Sequence, residues 1–202
     1  MERIGRGHFV SGHLPFTGER AAILGDLAFA TTLILRDPRD IVVSHMYYVT
    51  YRAEHHRLHG YFASLPDDST RLRASILGVD EALVEGDWGL EDLGARLRSY
   101  LAWADHGCCI VRFENLVGPQ GGGSRELQLG EVSKLAAHVG FDLSKQDLER
   151  IAERIFYRRS WTFRRGAIGD WRNHFASQHK AALKEVAGQV LIDLGYEADL
   201  DW

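Results

Sequence analysis

The chain is poor in several features that mark particular classes of protein. It has two cysteines and four prolines in 202 residues, and no apolar run approaches the ~20 residues of a membrane-spanning helix. Its formal net charge of -4 at pH 7 argues against a protein that coats nucleic acid, because such proteins need a basic surface. The first residues are polar and basic, unlike a signal peptide. These absences predict a soluble cytoplasmic protein with no membrane span and no nucleic-acid partner.

The composition that remains is ordinary for a globular protein. Hydrophobic residues make up 45% and charged residues 26%, and the length fits one domain with a sizeable core. Cys108 and Cys109 are sequence neighbours, and adjacent cysteines rarely reach disulfide geometry, so we expect both thiols to be reduced and inside the fold. Because no repeat or linker interrupts the chain, residues 1–202 are predicted to form a single domain.

Two short apolar runs have the pattern of strands in a parallel sheet. Residues 31–35 and 108–113 are continuous and apolar, which is typical of strands that are buried on both faces. Residues 8–12 also favour a strand, which Pro15 would terminate.

Helical patterns fill the intervals between these runs. Asp37 is a good N-cap and Pro38 suits the first helical position, so a helix is expected from there through residues 47–57. Further helices are expected over residues 91–106, 126–139, 144–155 and 177–194. Residues 60–92 are mixed, and residues 118–123 are interpreted as a flexible loop. The alternation predicts an α/β fold with three layers around a central parallel sheet.

Residues 156–175 carry a local positive charge on this mildly acidic chain. Residues 156–172 contain one acidic residue, Asp170, and five arginines, which are Arg158, Arg159, Arg164, Arg165 and Arg172. Gly166 lets backbone N–H groups approach a phosphate, and Arg164 and Arg165 can neutralise it. A solvated basic turn is the alternative. Trp171 disfavours it, because a tryptophan in so polar a stretch usually anchors the loop to the core.

The turn between the first predicted strand and its helix is a second candidate anion site. A helix N-terminus presents free N–H groups and the positive end of a dipole. Arg36 adds a bidentate donor, and Ser44 adds a hydroxyl about two turns into the helix. Simple helix capping is the alternative explanation of this pattern.

Together the two segments resemble the sulfotransferase family that uses 3′-phosphoadenosine 5′-phosphosulfate (PAPS). Residues 164–175, RRGAIGDWRNHF, are similar to the family's RKGxxGDWKxxF segment, and residues 36–44, RDPRDIVVS, to its RxxxDxxxS segment. The resemblance implies that the 3′-phosphate of the nucleotide is held by Arg36, Ser44, Arg164, Arg165 and Gly166. Arginine stands at 165 and 172 where lysine is usual, which keeps the charge and changes the contact.

The resemblance extends to three further side chains. Residues 11–15, SGHLP, are similar to the family's THLP segment, which implies that His13 is the catalytic base. Ser11 stands where animal cytosolic members often have lysine. Phe113 precedes Glu-Asn-Leu, as in the family's Y/F-E-D/N-L segment, and Phe156 matches the phenylalanine of its SF dipeptide. Both are implied to pack against the adenine, with core packing as the alternative.

One segment of the family is missing from this sequence. Members begin with a strand and a PKSGT(T/S)W loop that binds the 5′-phosphosulfate, and residues 1–202 contain no such segment. Residues 1–5 do not resemble a domain start, so we expect a domain that is incomplete at its N-terminus. A start site assigned too late, a degenerate relative, or a loop supplied by another chain would each explain this.

The resemblance implies a P-loop nucleoside triphosphate hydrolase-like fold and a sulfotransferase activity. PAPS would be the co-substrate, no metal would be needed, and the acceptor hydroxyl or amine would belong to a small molecule, glycan, lipid or peptide. A catalytically impaired remnant that binds the 3′-phosphoadenosine nucleotide is the alternative. A P-loop kinase relative is disfavoured because no Walker lysine is visible. Neither the acceptor nor the oligomeric state follows from the sequence.

Two other patterns are given simpler interpretations. His55 and His59 would share one helical face, a spacing that can bind zinc, but no third ligand is apparent. Residues 121–123 are three glycines without the lysine and serine of a P-loop, and are interpreted as a flexible connection.

Overall fold

Two parallel strands form a small sheet in the computed structural model, which describes residues 7–84 and 89–202. Thr32–Leu35 (β1) pairs with Cys109–Arg112 (β2), and Leu35 lies opposite Arg112. A parallel pair needs a long crossover, which the intervening helices supply. The strands predicted at residues 31–35 and 108–113 and the α/β class are confirmed. The prediction about residues 1–5 lies outside the described residues.

Helices make up most of the remainder. The α-helices are α1 Gly18–Asp26, α2 Pro38–Tyr51, α3 His59–Ser64, α4 Asp68–Leu77, α5 Leu93–Leu101, α6 Phe113–Leu116, α7 Arg125–His138, α8 Lys145–Ile155 and α9 Ser177–Asp193. Short 3₁₀ turns cover Glu81–Leu83, Ala102–His106, Pro119–Gly121 and Asp170–Asn173. The described helices include none long and apolar enough to cross a membrane.

The main core lies where α2, α4, α5 and α9 meet. Val42, Met46 and Val49 recur on one face of α2 at helical spacing and are fully buried. The core cluster consists of Val42, Val43, Leu72, Ile76, Leu93, Leu97, Trp171, Ala182, Leu183, Ala187, Val190 and Leu191. A separate cluster joins β2 to α6, α7 and α8. Packing in the main core holds α2 in place, and with it the residues at the N-terminus of that helix.

The first strand is less buried than its apolar sequence suggests. Leu35 is 6% exposed, but Ile34, on the opposite face, is 60% exposed. The prediction that β1 is buried on both faces is therefore wrong. A parallel strand needs a covering layer on each face, and in the described part of the chain no layer covers Ile34.

The segment before α1 does not form a strand, so the strand predicted at residues 8–12 is wrong. It is held at its end instead. Trp103 Nε1 donates to the Leu14 carbonyl at 2.8 Å, and the Phe16 amide donates to the Ser99 carbonyl at 2.9 Å. These bonds attach the segment to the end of α5.

Helix α2 ends at Tyr51, six residues before the predicted limit. The polar residues that follow could have continued the helix, but the chain turns so that Leu58 and Phe62 pack against Val49. His55 consequently lies outside any helix and does not share a helical face with His59. The premise of the zinc hypothesis is therefore wrong. Residues 60–92, predicted to be mixed, contain most of α3 and all of α4.

Candidate functional site

Arg36 stands at the end of β1, where three parts of the chain meet. Its side chain is 16% exposed, and its Nη2 donates to the Ala167 carbonyl at 3.1 Å. Its guanidinium lies 4.2 Å from the centre of the Phe113 ring. Burial lowers the pKa of Arg36, Asp40 opposes that effect, and the charge of Arg164 adds to it. Arg36 and Arg164 are thus close enough to repel each other.

Asp170 forms ion pairs with two arginines of residues 156–175, which we call the basic loop. Its carboxylate is 2% exposed and lies 2.5 Å from Arg164 Nη2 and 3.0 Å from Arg165 Nη1. Burial alone would raise the pKa of Asp170, but hydrogen bonds from Arg164 and Asn173 and the nearby positive charges leave it lowered. Arg165 is 57% exposed and remains open to solvent. Asp170 therefore orients both guanidiniums without enclosing them.

Asp40 ties this loop to α2. Its fully buried carboxylate accepts from the Gly169 amide at 2.8 Å and from the Trp171 amide at 2.9 Å. Burial raises the pKa of Asp40 even though these two bonds favour the charged form. The Trp171 ring is buried in the main core, which confirms that it anchors the loop.

Residues 118–123 contact the loop that contains Gly166 and Ile168, and they do so through Gly121. The Gly121 carbonyl accepts from the Ile168 amide at 3.1 Å. A Cβ on Gly121 would lie 2.6 Å from Val117 and 2.7 Å from the Gly166 carbonyl. Residues 118–123, interpreted as a flexible loop, contain a 3₁₀ turn at Pro119–Gly121 that packs against the backbone of residue 166. Glycine is needed here because two backbones approach too closely for any side chain.

Two buried guanidinium N–H groups at the site have no partner in the described residues, and neither has the indole N–H of Trp171. Within the described residues, Arg36 Nε and Arg164 Nε are buried without a hydrogen bond. Such groups are rare in folded proteins, and each one invites an explanation such as an absent ligand. Ser44 is half-buried two turns into α2, and its hydroxyl makes no hydrogen bond to another described residue. The unused donors therefore suit an anion, and a phosphate with several acceptor oxygens would satisfy them.

The two predicted aromatic residues lie at different points of the site. Phe113 is the first residue of α6 rather than the last of the strand, and its ring makes a cation–π contact with Arg36. Phe156 packs edge-on against Phe163 at 5.5 Å. A Cβ on Gly166 would lie within 3.0 Å of both the Phe156 and Phe163 rings, so only glycine fits there. A role of either phenylalanine with adenine stays a prediction.

His13 is exposed in the segment before α1. Burial lowers the pKa of His45 and His56, and the charge of His13 contributes to both shifts. The role of His13 as the base stays a prediction.

Sequence reasoning missed the residues that support the site. The Glu114 carboxylate accepts from the Asp37 amide at 2.7 Å. Arg39 is 2% exposed, donates to Asp37 and to Glu197, and lies 4.2 Å from the Trp171 ring. The available signal was a run of charges, Asp37, Arg39 and Asp40, opening an otherwise apolar helix. No cluster of three or more potential metal ligands occurs in residues 7–84 and 89–202.

Comparison with known proteins gives one likeness in fold. A crystal structure of mouse sulfotransferase SULT7A1 complexed with PAP matches 89% of this chain with a TM-score of 0.61 and 15% sequence identity. The match covers 64% of that chain, so the present chain spans less than two thirds of its length. No family model matches the sequence, and no curated protein matches it. The chain has a sulfotransferase-like fold.

Proposed function

We propose that this chain is the nucleotide-binding part of a PAPS-dependent sulfotransferase. The observation that carries the proposal is the pair of half-buried arginines, Arg36 and Arg164, whose buried Nε groups have no partner in the described residues. Arg36, which follows β1, contacts the Ala167 carbonyl, and Arg164 contacts the Asp170 carboxylate. The fold that places them there is sulfotransferase-like. The neighbouring structure holds PAP, the product that remains after PAPS loses its sulfuryl group.

In this proposal the 3′-phosphate is held by Arg36, Ser44, Arg164, Arg165 and the backbone at Gly166. Charge-assisted hydrogen bonds to phosphate are the strongest that side chains make, and the planar guanidinium suits them. A phosphate would also remove the repulsion between Arg36 and Arg164. Phe113 and Phe156 would border the adenosine.

The proposed reaction transfers a sulfuryl group to an acceptor, here taken to be a small molecule. An acceptor oxygen forms a bond to sulfur, the bond from sulfur to the 5′-phosphate oxygen breaks, and PAP leaves. His13 takes the acceptor proton, a task suited to an exposed imidazole. Residues 1–202 would form a single domain. Together with a 5′-phosphosulfate loop, which these residues lack, that domain would have the three-layer, P-loop-like architecture.

A second function is favoured by one observation. Residues 1–202 contain no PKSGT-like segment to bind the 5′-phosphosulfate. Losing one preorganised charge contact costs on the order of 10²–10³ in rate. A chain that binds PAP through the 3′-phosphate but transfers no sulfuryl group would be the nucleotide-binding remnant.

Calorimetric titration with PAP tests the nucleotide site, with adenosine 5′-monophosphate as the ligand that lacks a 3′-phosphate. We expect PAP to bind more tightly, and Arg164→Ala to weaken PAP binding about tenfold to a hundredfold, because charged hydrogen bonds contribute about 1.5–3 kcal/mol. The affinity for adenosine 5′-monophosphate should change little.

The matched control is Arg159→Ala, which removes an exposed arginine of the same loop. It should bind PAP like the parent chain. Because Arg164 also pairs with buried Asp170, circular dichroism must show that the Arg164→Ala variant is folded, and Arg164→Lys provides a milder change. Equal affinity for the two nucleotides in the parent chain would refute the proposal.

A further inference from the structure

The two arginines on which the proposed phosphate site depends are held in the same way. In both, Nη2 donates to one acceptor, which is a backbone carbonyl for Arg36 and a carboxylate for Arg164. Both guanidiniums also lie over an aromatic ring, with the central carbon 4.2 Å from the centre of the Phe113 ring and 4.8 Å from that of the Tyr47 ring. Both Nε–H groups are buried without a partner in the described residues. One acceptor and one ring thus hold each guanidinium, and a donor stays unused.

Tyr47 is outside both segments that predicted an anion site. It lies three residues beyond Ser44 on α2, and side chains at this spacing are neighbours on the surface of a helix. The Tyr47 ring is therefore next to a residue that the phosphate site is proposed to use.

The Tyr47 ring is itself fixed in place. It is half-buried, packs against the main core, and lies 5.5 Å from the His174 ring and 5.7 Å from the Tyr51 ring. His174 Nε2 lies 3.3 Å from the Asp170 carboxylate, which also binds Arg164. Asp170 and Tyr47 therefore hold the Arg164 guanidinium together, and His174 contacts both of them.

An aromatic ring suits this task because it uses none of the donors of the guanidinium. An arginine side chain has several rotatable bonds, and ordering such a side chain on binding costs affinity. A second carboxylate would order Arg164 too, but it would take up N–H groups and neutralise the charge that attracts a phosphate. A cation–π contact holds the cation and leaves its N–H groups to a ligand.

We propose that Tyr47 is a positioning residue of the phosphate site, which holds the Arg164 guanidinium so that its unused donors are available to an anion. The inference rests on the proposed function, because the anion is the 3′-phosphate of that function. Tyr47 acts through Arg164 and not by touching the nucleotide. The aromatic ring, rather than the phenol hydroxyl, makes the contact.

The contact is tested first in the nucleotide-free chain, by proton–nitrogen NMR of the arginine Nε–H groups. An aromatic ring shifts the resonance of a proton that lies near its face. The Arg164 signal, identified by its loss in Arg164→Lys, should therefore move in Tyr47→Leu and stay near its parent position in Tyr47→Phe. The Arg36 signal should change little in either variant, because its ring is that of Phe113.

An Arg164 signal that stays in place in Tyr47→Leu, or that moves as far in Tyr47→Phe, would overturn the inference. If Tyr47→Leu does not fold, the parent chain decides the point. A nuclear Overhauser contact should join the Tyr47 ring to the Arg164 side chain, and its absence would also overturn the inference.

The effect on binding is tested by titrating the same variants with PAP and with adenosine 5′-monophosphate. Tyr47→Leu should bind PAP about fivefold to tenfold more weakly, and Tyr47→Phe should bind it like the parent chain. Neither change should alter the affinity for adenosine 5′-monophosphate, which has no 3′-phosphate. Tyr61→Leu makes the same change on α3, where the ring packs edge-on against Phe62, and should bind PAP like the parent chain.

The outcomes separate this inference from the function on which it rests. If the parent chain prefers PAP and Tyr47→Leu keeps the full preference, or loses affinity for both nucleotides equally, Tyr47 is not a positioning residue and the proposed function stands. If the parent chain binds the two nucleotides equally, the proposed function fails, and the inference fails with it.

Discussion

At the scale of single residues, Asp170 is the side chain on which the basic loop most depends. It is buried and bonded to Arg164, Arg165, Asn173 and His174. Removing one partner of a buried ion pair costs about 3–5 kcal/mol, because the other charge is left without compensation. Arg165 is largely exposed and contributes little to that sum.

We expect Asp170→Asn to lower the free energy of unfolding by about 3 kcal/mol at pH 7. The pKa of Asp170 is lowered in the fold, so its stabilisation is present above the unfolded value of about 3.8 and is lost as the pH falls through the folded value. The difference between variant and parent should be constant near neutral pH and shrink below about pH 4. Urea titrations across this pH range measure it.

The control for this change is Asp142→Asn, which alters an exposed carboxylate and should cost less than about 0.5 kcal/mol. A difference for Asp170→Asn that grows on acidification would mean that the carboxylate is not stabilised by the arginines.

The residue types of the site were predictable from the sequence, but their supports were not. Arg36 and Arg164 stand in short segments whose spacing identifies an anion site. Glu114 and Glu197 carry no such local pattern, because their contacts join residues 77 and 158 positions apart. Burial of a charge is decided by such distant contacts, which a single sequence does not display.

At the scale of elements, the start of α2 was more predictable than its end. The side chain of Asp37 caps α2 as expected, because a cap depends on an amide two or three positions away. The end of α2 was missed because it is set by packing of Leu58 and Phe62 on Val49. The support of the Gly166 loop by Gly121 was missed for the same reason.

The contact between these two loops gives a prediction for Gly121→Ala. The backbone of Gly121 is not in the left-handed region, so the added methyl acts only through its clash with Val117 and the Gly166 carbonyl. We expect a loss of about 1–3 kcal/mol, the usual cost of overpacking. PAP affinity should fall as well, since the carbonyl that must move belongs to the phosphate loop. Calorimetry of unfolding and of PAP binding measures both effects.

Gly130→Ala is the matched control. Gly130 lies inside α7, where a Cβ meets nothing within 4 Å, so the change should stabilise the helix by about 0.5–1 kcal/mol. Normal stability of Gly121→Ala would show that the loops are farther apart than described.

At the scale of the whole molecule, the C-terminal residues brace the start of α2. The Arg39 guanidinium lies 4.2 and 4.8 Å from the centres of the Trp171 and Trp202 rings, which contact each other edge to face. The Glu197 carboxylate accepts from Arg39, and Tyr196 donates to Glu114 at 3.2 Å. Residues some 160 positions from α2 thus fix the turn that carries Arg36.

Trp202 therefore contributes to both stability and nucleotide binding. Trp202→Ala removes a half-buried ring that contacts both the Arg39 guanidinium and the Trp171 ring, so we expect a loss of about 2 kcal/mol in unfolding free energy. PAP affinity should fall severalfold, because Arg39 also holds the Asp37 cap. Trp202→Phe keeps an aromatic face and should lose less than half as much of each. Urea unfolding and PAP titration of the three chains separate the outcomes. If Trp202→Ala loses stability but binds PAP like the parent chain, Trp202 stabilises the fold and does not contribute to nucleotide binding.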